Sequence, residues 1–94
     1  MDNDEAVRLL EEELTTLRSE SYESLARRIG VNPIVRERTG QGAAAYQIEI
    51  EVVWDGPKGG NVRVIGSVDD GRWRSLAPLT RSFIKGPSGC VMDE

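Results

Sequence analysis

Apolar positions in residues 1–30 recur with the period of an amphipathic helix. The first apolar stripe, set apart from the charged positions around it, consists of Val7, Leu10, Leu14 and Leu17. A second stripe starts after Ser21, whose side chain is typical of a helix N-cap, and ends before Gly30, which is typical of a helix C-terminus. Pro33 keeps the chain from continuing as helix. The pattern therefore predicts one kinked helix or two separate helices in this region.

Beyond Pro33 the apolar positions change to strict alternation, which is typical of β-strands. The clearest alternation runs over residues 45–54, and its apolar face consists of Tyr46, Ile48, Ile50, Val52 and Trp54. Residues 33–40 form a shorter strand before it. Residues 61–69 form another strand after it, with valine at most of the alternate positions. These segments predict consecutive strands of one antiparallel sheet.

The two longer strands can be paired by requiring that their apolar faces coincide. In this register the opposed pairs are Trp54–Val62, Val52–Val64 and Ile48–Val68. A slip of one residue would move every apolar side chain to the wrong face, so the alternation specifies the pairing well.

Asp70 and Gly71 separate two runs of strand-like sequence, and Asp-Gly is the strongest short signal for a two-residue hairpin turn. Such a turn requires positive φ at both central residues, which these residue types tolerate. The turn predicts that Val68 faces Trp73 and that the next strand continues as far as Pro78.

The fold class that follows is α+β, with an N-terminal helix or helix pair packed on one face of a three- to four-stranded antiparallel β-meander. Residues 1–94 are expected to form one small domain, with helix in residues 1–30 and sheet in residues 34–85. Whether residues 79–85 add a final strand stays open at this point. Residues 86–94 are expected to form a loose tail.

The composition is that of an ordinary globular domain, with 38% hydrophobic and 30% charged residues in a chain of 94. The net charge of −4 is unevenly distributed. Residues 1–24 hold eight acids and two bases, giving −6, whereas residues 25–94 hold eight acids and ten bases, giving +2. This second part is too weakly basic to predict a nucleic-acid partner.

The sequence carries no signal for a membrane or for an oxidising compartment. It contains no run of about 18 apolar residues, and its N-terminus is acidic where a secretory signal is basic. The single cysteine, Cys90, cannot form an internal disulfide. We therefore expect a cytoplasmic protein without a membrane partner.

Catalytic chemistry is poorly represented in the chain. The absence of histidine and the single cysteine exclude the usual zinc motifs and histidine-dependent triads. Glu49 and Glu51 would share one strand face about 7 Å apart, but on the solvated side of the sheet. Asp69 and Asp70 supply too few oxygen ligands for a hard cation. We therefore predict no catalytic residue, no metal, no cofactor and no enzymatic activity.

Four short motifs, in the order WDG, GGNVRV, DDGRW and PLTRSFI, follow the helical segment ESYESLARRIG. In these motifs, over residues 21–84, the chain resembles a set of small bacterial proteins of similar length that carry no assigned function. The motifs consist of turn and core residues. The resemblance therefore implies a shared fold, and it implies no activity, ligand or site residue.

The outer face of the predicted sheet carries apolar side chains among charged ones. Those expected to meet there are Val53, Ile65 and Leu76, with Arg63 and Arg74 beside them. Apolar groups bordered by charges are typical of a protein–protein contact. The leading hypothesis is a non-catalytic interaction or self-associating domain that uses this face, with another protein or a second copy as its partner.

The alternative hypothesis is a small-molecule binder with a pocket between helix and sheet, near Tyr46, Trp54 and Trp73. Alternation places these aromatic side chains on the helix-covered face of the sheet. No polar side chain is clearly directed inward to orient a ligand, which favours the interaction hypothesis.

Overall fold

The computed structural model describes residues 2–71 and 78–93 of the chain. The helices are α1 (Asn3–Arg18) and α2 (Tyr22–Ala26), and the strands are β1 (Ile34–Thr39), β2 (Ala45–Asp55), β3 (Asn61–Asp69), β4 (Leu79–Lys85) and β5 (Val91–Asp93). A short 3₁₀ turn joins the first two strands. None of the described helices has the length and apolar character that crossing a bilayer requires.

The N-terminal helical region consists of two helices, which decides between the two predicted alternatives. The Asp2 side chain caps α1 by accepting a hydrogen bond from the Glu5 amide at 3.1 Å. Ser21 caps α2, as predicted, by accepting a hydrogen bond from the Ser24 amide at 3.0 Å. Because an N-cap residue has an extended backbone, the helix is interrupted at Ser21.

The five strands form one antiparallel meander in the order β1-β2-β3-β4-β5, so the predicted α+β class is confirmed. The sheet has five strands, where three or four were predicted. The register of β2 against β3 is the predicted one and includes Trp54–Val62, Val52–Val64 and Ile48–Val68. The alternation specifies this register because only this pairing places the apolar side chains of both strands in the core.

The segment that pairs with the other side of β3 differs from the prediction. Val68 pairs with Leu79, so β4 occupies the position in which Trp73 was expected. The predicted pairing of Val68 with Trp73 is therefore wrong, while Gly71 has the positive φ, 73°, that a turn at this position requires. Trp73 itself lies outside the described residues.

The burial of Phe83 and Leu79 favours this position of β4. Phe83 is completely buried and pairs with Val64, while Leu79 lies on the same inner face. The predicted strand would have placed on that face Trp73, Ser75 and Ala77. The longer connection between β3 and β4 costs little, because the entropy of loop closure rises slowly with loop length.

The C-terminal segment, predicted as a loose tail, contributes the fifth strand. β5 is antiparallel to the C-terminal half of β4. Arg18 connects this strand to α1, because its Nε atom donates to the Asp93 carboxylate at 2.9 Å. The same guanidinium lies 5.1 Å from the centre of the Phe83 ring, a cation–π distance.

Helix α1 approaches the middle of the sheet closely at Gly66. A Cβ atom at this position would lie 2.7 Å from Leu10 Cδ1 and 3.3 Å from Leu14 Cδ2. Both leucines are completely buried, so neither can move without displacing its neighbours. The absence of a side chain at Gly66 therefore permits the observed distance between α1 and β3.

Replacing Gly66 by alanine is expected to lower the free energy of unfolding by about 2 kcal/mol, because the added methyl group overpacks this contact. Urea unfolding followed by circular dichroism measures the loss. In a Leu10→Ala background the same substitution should cost less, since the leucine that it clashes with is absent. An equal cost in both backgrounds would contradict the proposed contact.

A buried lysine on β4 holds the end of α1. Lys85 is only 7% exposed, and its Nζ atom donates to the carbonyl oxygens of Arg18 at 2.9 Å and Glu20 at 2.5 Å. Carbonyl groups at a helix C-terminus lack intrahelical donors and carry partial negative charge, so an ammonium group is a favourable partner. Lys85 thereby couples the helix end to the sheet.

Candidate functional site

The outer face of the sheet is the face turned away from the helices. The apolar side chains of α1 and α2 pack into one core with the inner-face residues of the strands. The intervening residues of β2 and β3 point to the other side, where they are half-buried or exposed. The outer face is therefore a broad sheet surface that neither described helix covers.

Four apolar side chains, which we call the outer-face patch, lie together at one end of this surface. The patch consists of Val53, Ile65, Ile84 and Met92. Cross-strand pairing places Val53, Arg63, Ile84 and Met92 in one row from β2 to β5. Ile65 lies in the next row, about 7 Å along β3 from Arg63. Met92 is 44% exposed and the other three patch residues are half-buried.

The sequence-predicted surface overlaps this patch in part. The structure brings together Val53, Ile65 and Arg63, whereas Leu76 and Arg74 lie outside the described residues. Ile65 pairs with Ser82, not with the strand position expected for Leu76. Sequence reasoning missed the patch residues of β4 and β5, because it left the first of these strands open and treated the second as tail.

Arg63 lies within the patch, but its charge is compensated there. Its Nε and Nη2 atoms donate to Asp55 Oδ1 at 3.1 and 2.8 Å. Asp55 is the last residue of β2, two positions beyond Val53 and on the same face. This ion pair lies between Val53 and Ile84 in the row, and because the Arg63 charge is compensated there, Arg63 does not make the patch basic.

Next to the patch, the outer face is acidic. Glu51 lies directly opposite Ile65, Glu49 is two residues further along β2, and Glu37 lies on β1; all three carboxylates are exposed. Within residues 2–71 and 78–93, none of the three forms an ion pair or a side-chain hydrogen bond. Arg63 is the one basic residue among the outer-face positions of the five strands. The face therefore combines an apolar patch with uncompensated negative charge.

The aromatic residues of the alternative hypothesis do not line one pocket. Tyr46 and Trp54 lie near opposite ends of β2, about 26 Å apart along the strand. Trp73 lies outside the described residues. Tyr46 is buried, and Trp54 is half-buried against the core. In the described part of the chain, every buried side-chain nitrogen or oxygen has a hydrogen-bond partner, so this interior offers no free polar group to a ligand.

A cleft of about 420 Å³ opens beside Tyr46, where the sheet meets the start of α1. Its lining is acidic and includes Asp2, Glu5 and Asp70. The Tyr46 hydroxyl donates to Glu5 Oε1 at 2.8 Å, and the Gln41 amide donates to Glu5 Oε2 at 2.8 Å. Glu5 thus uses both carboxylate oxygens to hold β2 and the turn after β1 against the helix. This structural role accounts for a carboxylate at position 5.

The hydrogen bond to Glu5 has a measurable electrostatic consequence. Together with burial, it raises the pKa of Tyr46 from 10.0 to about 12, because a phenolate beside a carboxylate is unfavourable. A raised folded-state pKa contributes stability below the unfolded-state value and loses that contribution as the pH rises through the folded-state value. The Tyr46 contribution to stability should therefore disappear between about pH 10 and pH 12.

We expect a tyrosinate ionisation near pH 12 that is absent from a Tyr46→Phe variant. Ultraviolet absorbance of the folded protein against pH measures it by difference. Glu5→Gln should lower the pKa of Tyr46, because the carboxylate that opposes ionisation is removed. A Tyr46 midpoint unchanged by Glu5→Gln would show that the hydrogen bond does not govern this pKa.

Other candidate chemistry is not assembled in the described residues. Over residues 2–71 and 78–93, no three histidine, cysteine, aspartate or glutamate side chains lie where they could hold a metal ion together. Cys90 is an exposed free thiol in the turn before β5. Of the candidate features in the described residues, the outer-face patch is the one that supports the interaction hypothesis.

Comparison of the chain with known protein families, with curated proteins and with solved structures found no match. The functional argument therefore rests on the chain's own residues and geometry.

Proposed function

We propose that this chain is a non-catalytic interaction domain that binds another protein through the outer face of its sheet. One observation carries the proposal: the four apolar side chains of the outer-face patch lie together on a surface that neither helix covers. Scattered exposed apolar residues are common on proteins, but a contiguous group bordered by charges is characteristic of contact surfaces.

The arrangement of the sheet supports this interpretation. The inner-face side chains are needed to pack α1 and α2, so their apolar character is explained by the core. The patch residues make no contribution to that core, and polar β-formers such as threonine would serve the strands equally well. Burial against a partner gives their apolar character a physical reason.

The test compares native masses of the protein isolated gently from its own cells. The wild type is expected to carry a second protein, and an Ile65→Thr/Ile84→Thr variant is expected to lose it. Threonine keeps the β-branched shape that suits a strand while removing apolar surface. Val31→Thr is the matched control, because Val31 is 64% exposed and lies outside the sheet.

The native masses of the wild type and the two variants can support or contradict the proposal. Retention of the partner by Val31→Thr and its loss from the double variant would support binding through the patch. Equal partner mass on the double variant and the wild type, or a bare monomer from wild-type cells, would count against it.

A further inference from the structure

On the helix side of the sheet, arginine side chains pair with acidic side chains, whereas on the outer face several carboxylates have no such partner among the described residues. Arg38 on β1 donates to Glu12 of α1 at 2.6 Å, and Arg28 donates to Glu20 at 2.8 Å. The Arg38 guanidinium lowers the pKa of Glu12 through this hydrogen bond. Glu37, Glu49 and Glu51 are outer-face carboxylates that form no ion pair with the described residues. Asp69, also on this face, accepts a hydrogen bond from the Gly71 amide and none from an arginine of the described residues.

These carboxylates are placed to act together with the patch. Glu51 is the direct cross-strand neighbour of Ile65, with Cα atoms about 5 Å apart. Glu49 lies about 7 Å further along the same face of β2. Neighbouring side chains on one face of a partner strand or helix are separated by similar distances. When one side chain of the partner packs on Ile65, the next side chain on the same face of the partner therefore lies near the carboxylate of Glu51 or Glu49.

The patch is small for the interface of a stable dimer. Its row from β2 to β5 spans three strand spacings, or about 14 Å, and its two rows are about 7 Å apart. Stable complexes typically bury about 800 Å² on each partner. A patch of these dimensions accommodates the few anchor side chains of one polypeptide segment.

Charge also disfavours a second copy of the chain as the occupant. Two outer faces packed against each other would enclose their uncompensated carboxylates in an interface where the one outer-face base of the described strands, Arg63, is already paired with Asp55. Pairing through the free edge of β1 is disfavoured as well, because the longest two-fold registers place Arg36 opposite its own copy or opposite Arg38. The same negative charge repels nucleic acids and anionic lipids.

We propose that the partner presents a basic amphipathic segment, whose apolar side chains pack on the outer-face patch and whose lysine or arginine side chains pair with Glu49 and Glu51. This inference rests on the proposed function and specifies the chemistry of the partner. The segment supplies cations for outer-face carboxylates that form no ion pair with the described residues.

The test uses a library of random peptides displayed on phage. Peptides that bind the purified 94-residue chain are selected from it. Selected peptides are then titrated against three variants. Glu49→Lys/Glu51→Lys reverses the charges beside the patch, Ile65→Thr/Ile84→Thr removes apolar surface, and Asp4→Lys/Glu23→Lys is the control. Asp4 and Glu23 are exposed acids on the helices, so the control changes the net charge equally at a distance from the patch.

Selected peptides are expected to carry lysine or arginine beside apolar residues. Their affinity should fall about tenfold or more in the Glu49→Lys/Glu51→Lys variant and stay near the wild-type value in the control. Peptides that lose affinity only in the isoleucine variant, or that lack basic residues, would overturn the inference and leave the proposed function standing. Peptides that bind all variants equally would overturn both.

Discussion

Replacing Phe83 by alanine is expected to lower the free energy of unfolding by about 4 kcal/mol, the largest loss that we foresee for a single substitution. Phe83 is completely buried, and it pairs with Val64 in the centre of the sheet. Its ring also lies against the Arg18 guanidinium. Alanine removes the apolar surface and leaves a cavity that the closely packed core cannot fill.

Chemical denaturation measures this loss, with Phe83→Leu and Thr80→Ala as companions. Leucine retains most of the apolar volume and should cost less, while Thr80 is exposed and its replacement should change stability by less than about 0.5 kcal/mol. Comparing the losses of the three variants also tests whether residues 79–85 pair with β3. A loss below about 1 kcal/mol for Phe83→Ala would contradict the pairing of residues 79–85 with β3.

Replacing Lys85 by methionine is expected to lower the free energy of unfolding by about 3 kcal/mol. Methionine preserves the apolar stem but removes both hydrogen bonds to the carbonyl groups of Arg18 and Glu20. Hydrogen bonds to charged groups contribute more than neutral ones, and the vacated carbonyl groups are left at the end of α1 without their donor.

Lys58→Met is the matched control, because Lys58 is the other lysine of the chain and lies exposed in the β2–β3 loop. The same chemical change there should alter stability by less than about 0.5 kcal/mol. Thermal unfolding of both variants under identical conditions measures the difference. Equal stability of the Lys58→Met and Lys85→Met variants would show that Lys85 does not hold the helix end.

The pairing of β2 with β3 could be predicted from sequence because strand side chains alternate with a period of two. Once Ile48 and Val68 are both required to face the core, only one register satisfies the whole pattern. The helical region was predicted for a related reason, since its apolar stripes repeat with the helical period. The break between α1 and α2 depends on one cap residue, Ser21, which the pattern indicated without deciding.

The position of β4 could not be predicted because a local signal competed with a non-local one. Asp70-Gly71 favours a tight turn through its own backbone preferences. Burial of Phe83 depends on pairing with a strand that ends ten or more residues earlier, and short-range pattern reading does not weigh that contact. Tertiary packing therefore decided which segment pairs with β3.

The candidate site was predicted in part for the same reason. Val53 and Ile65 belong to the strands whose alternation was clear, so their shared face could be predicted. Ile84 and Met92 belong to strands whose existence depends on the non-local pairing. The ion pair between Arg63 and Asp55 joins neighbouring strands across the β2–β3 turn and was not foreseen, so Arg63 was expected as a charged rim residue.

In-cell photo-crosslinking tests most directly whether the outer-face patch contacts another protein. A photo-reactive amino acid is placed at Ile84 in one variant and at Val31, outside the sheet, in another. Irradiation of cells producing each variant should give a discrete adduct with a second, different protein from position 84 and none from position 31. The same adducts from both positions, or only uncrosslinked monomer from position 84, would contradict the proposal that this face is a binding surface.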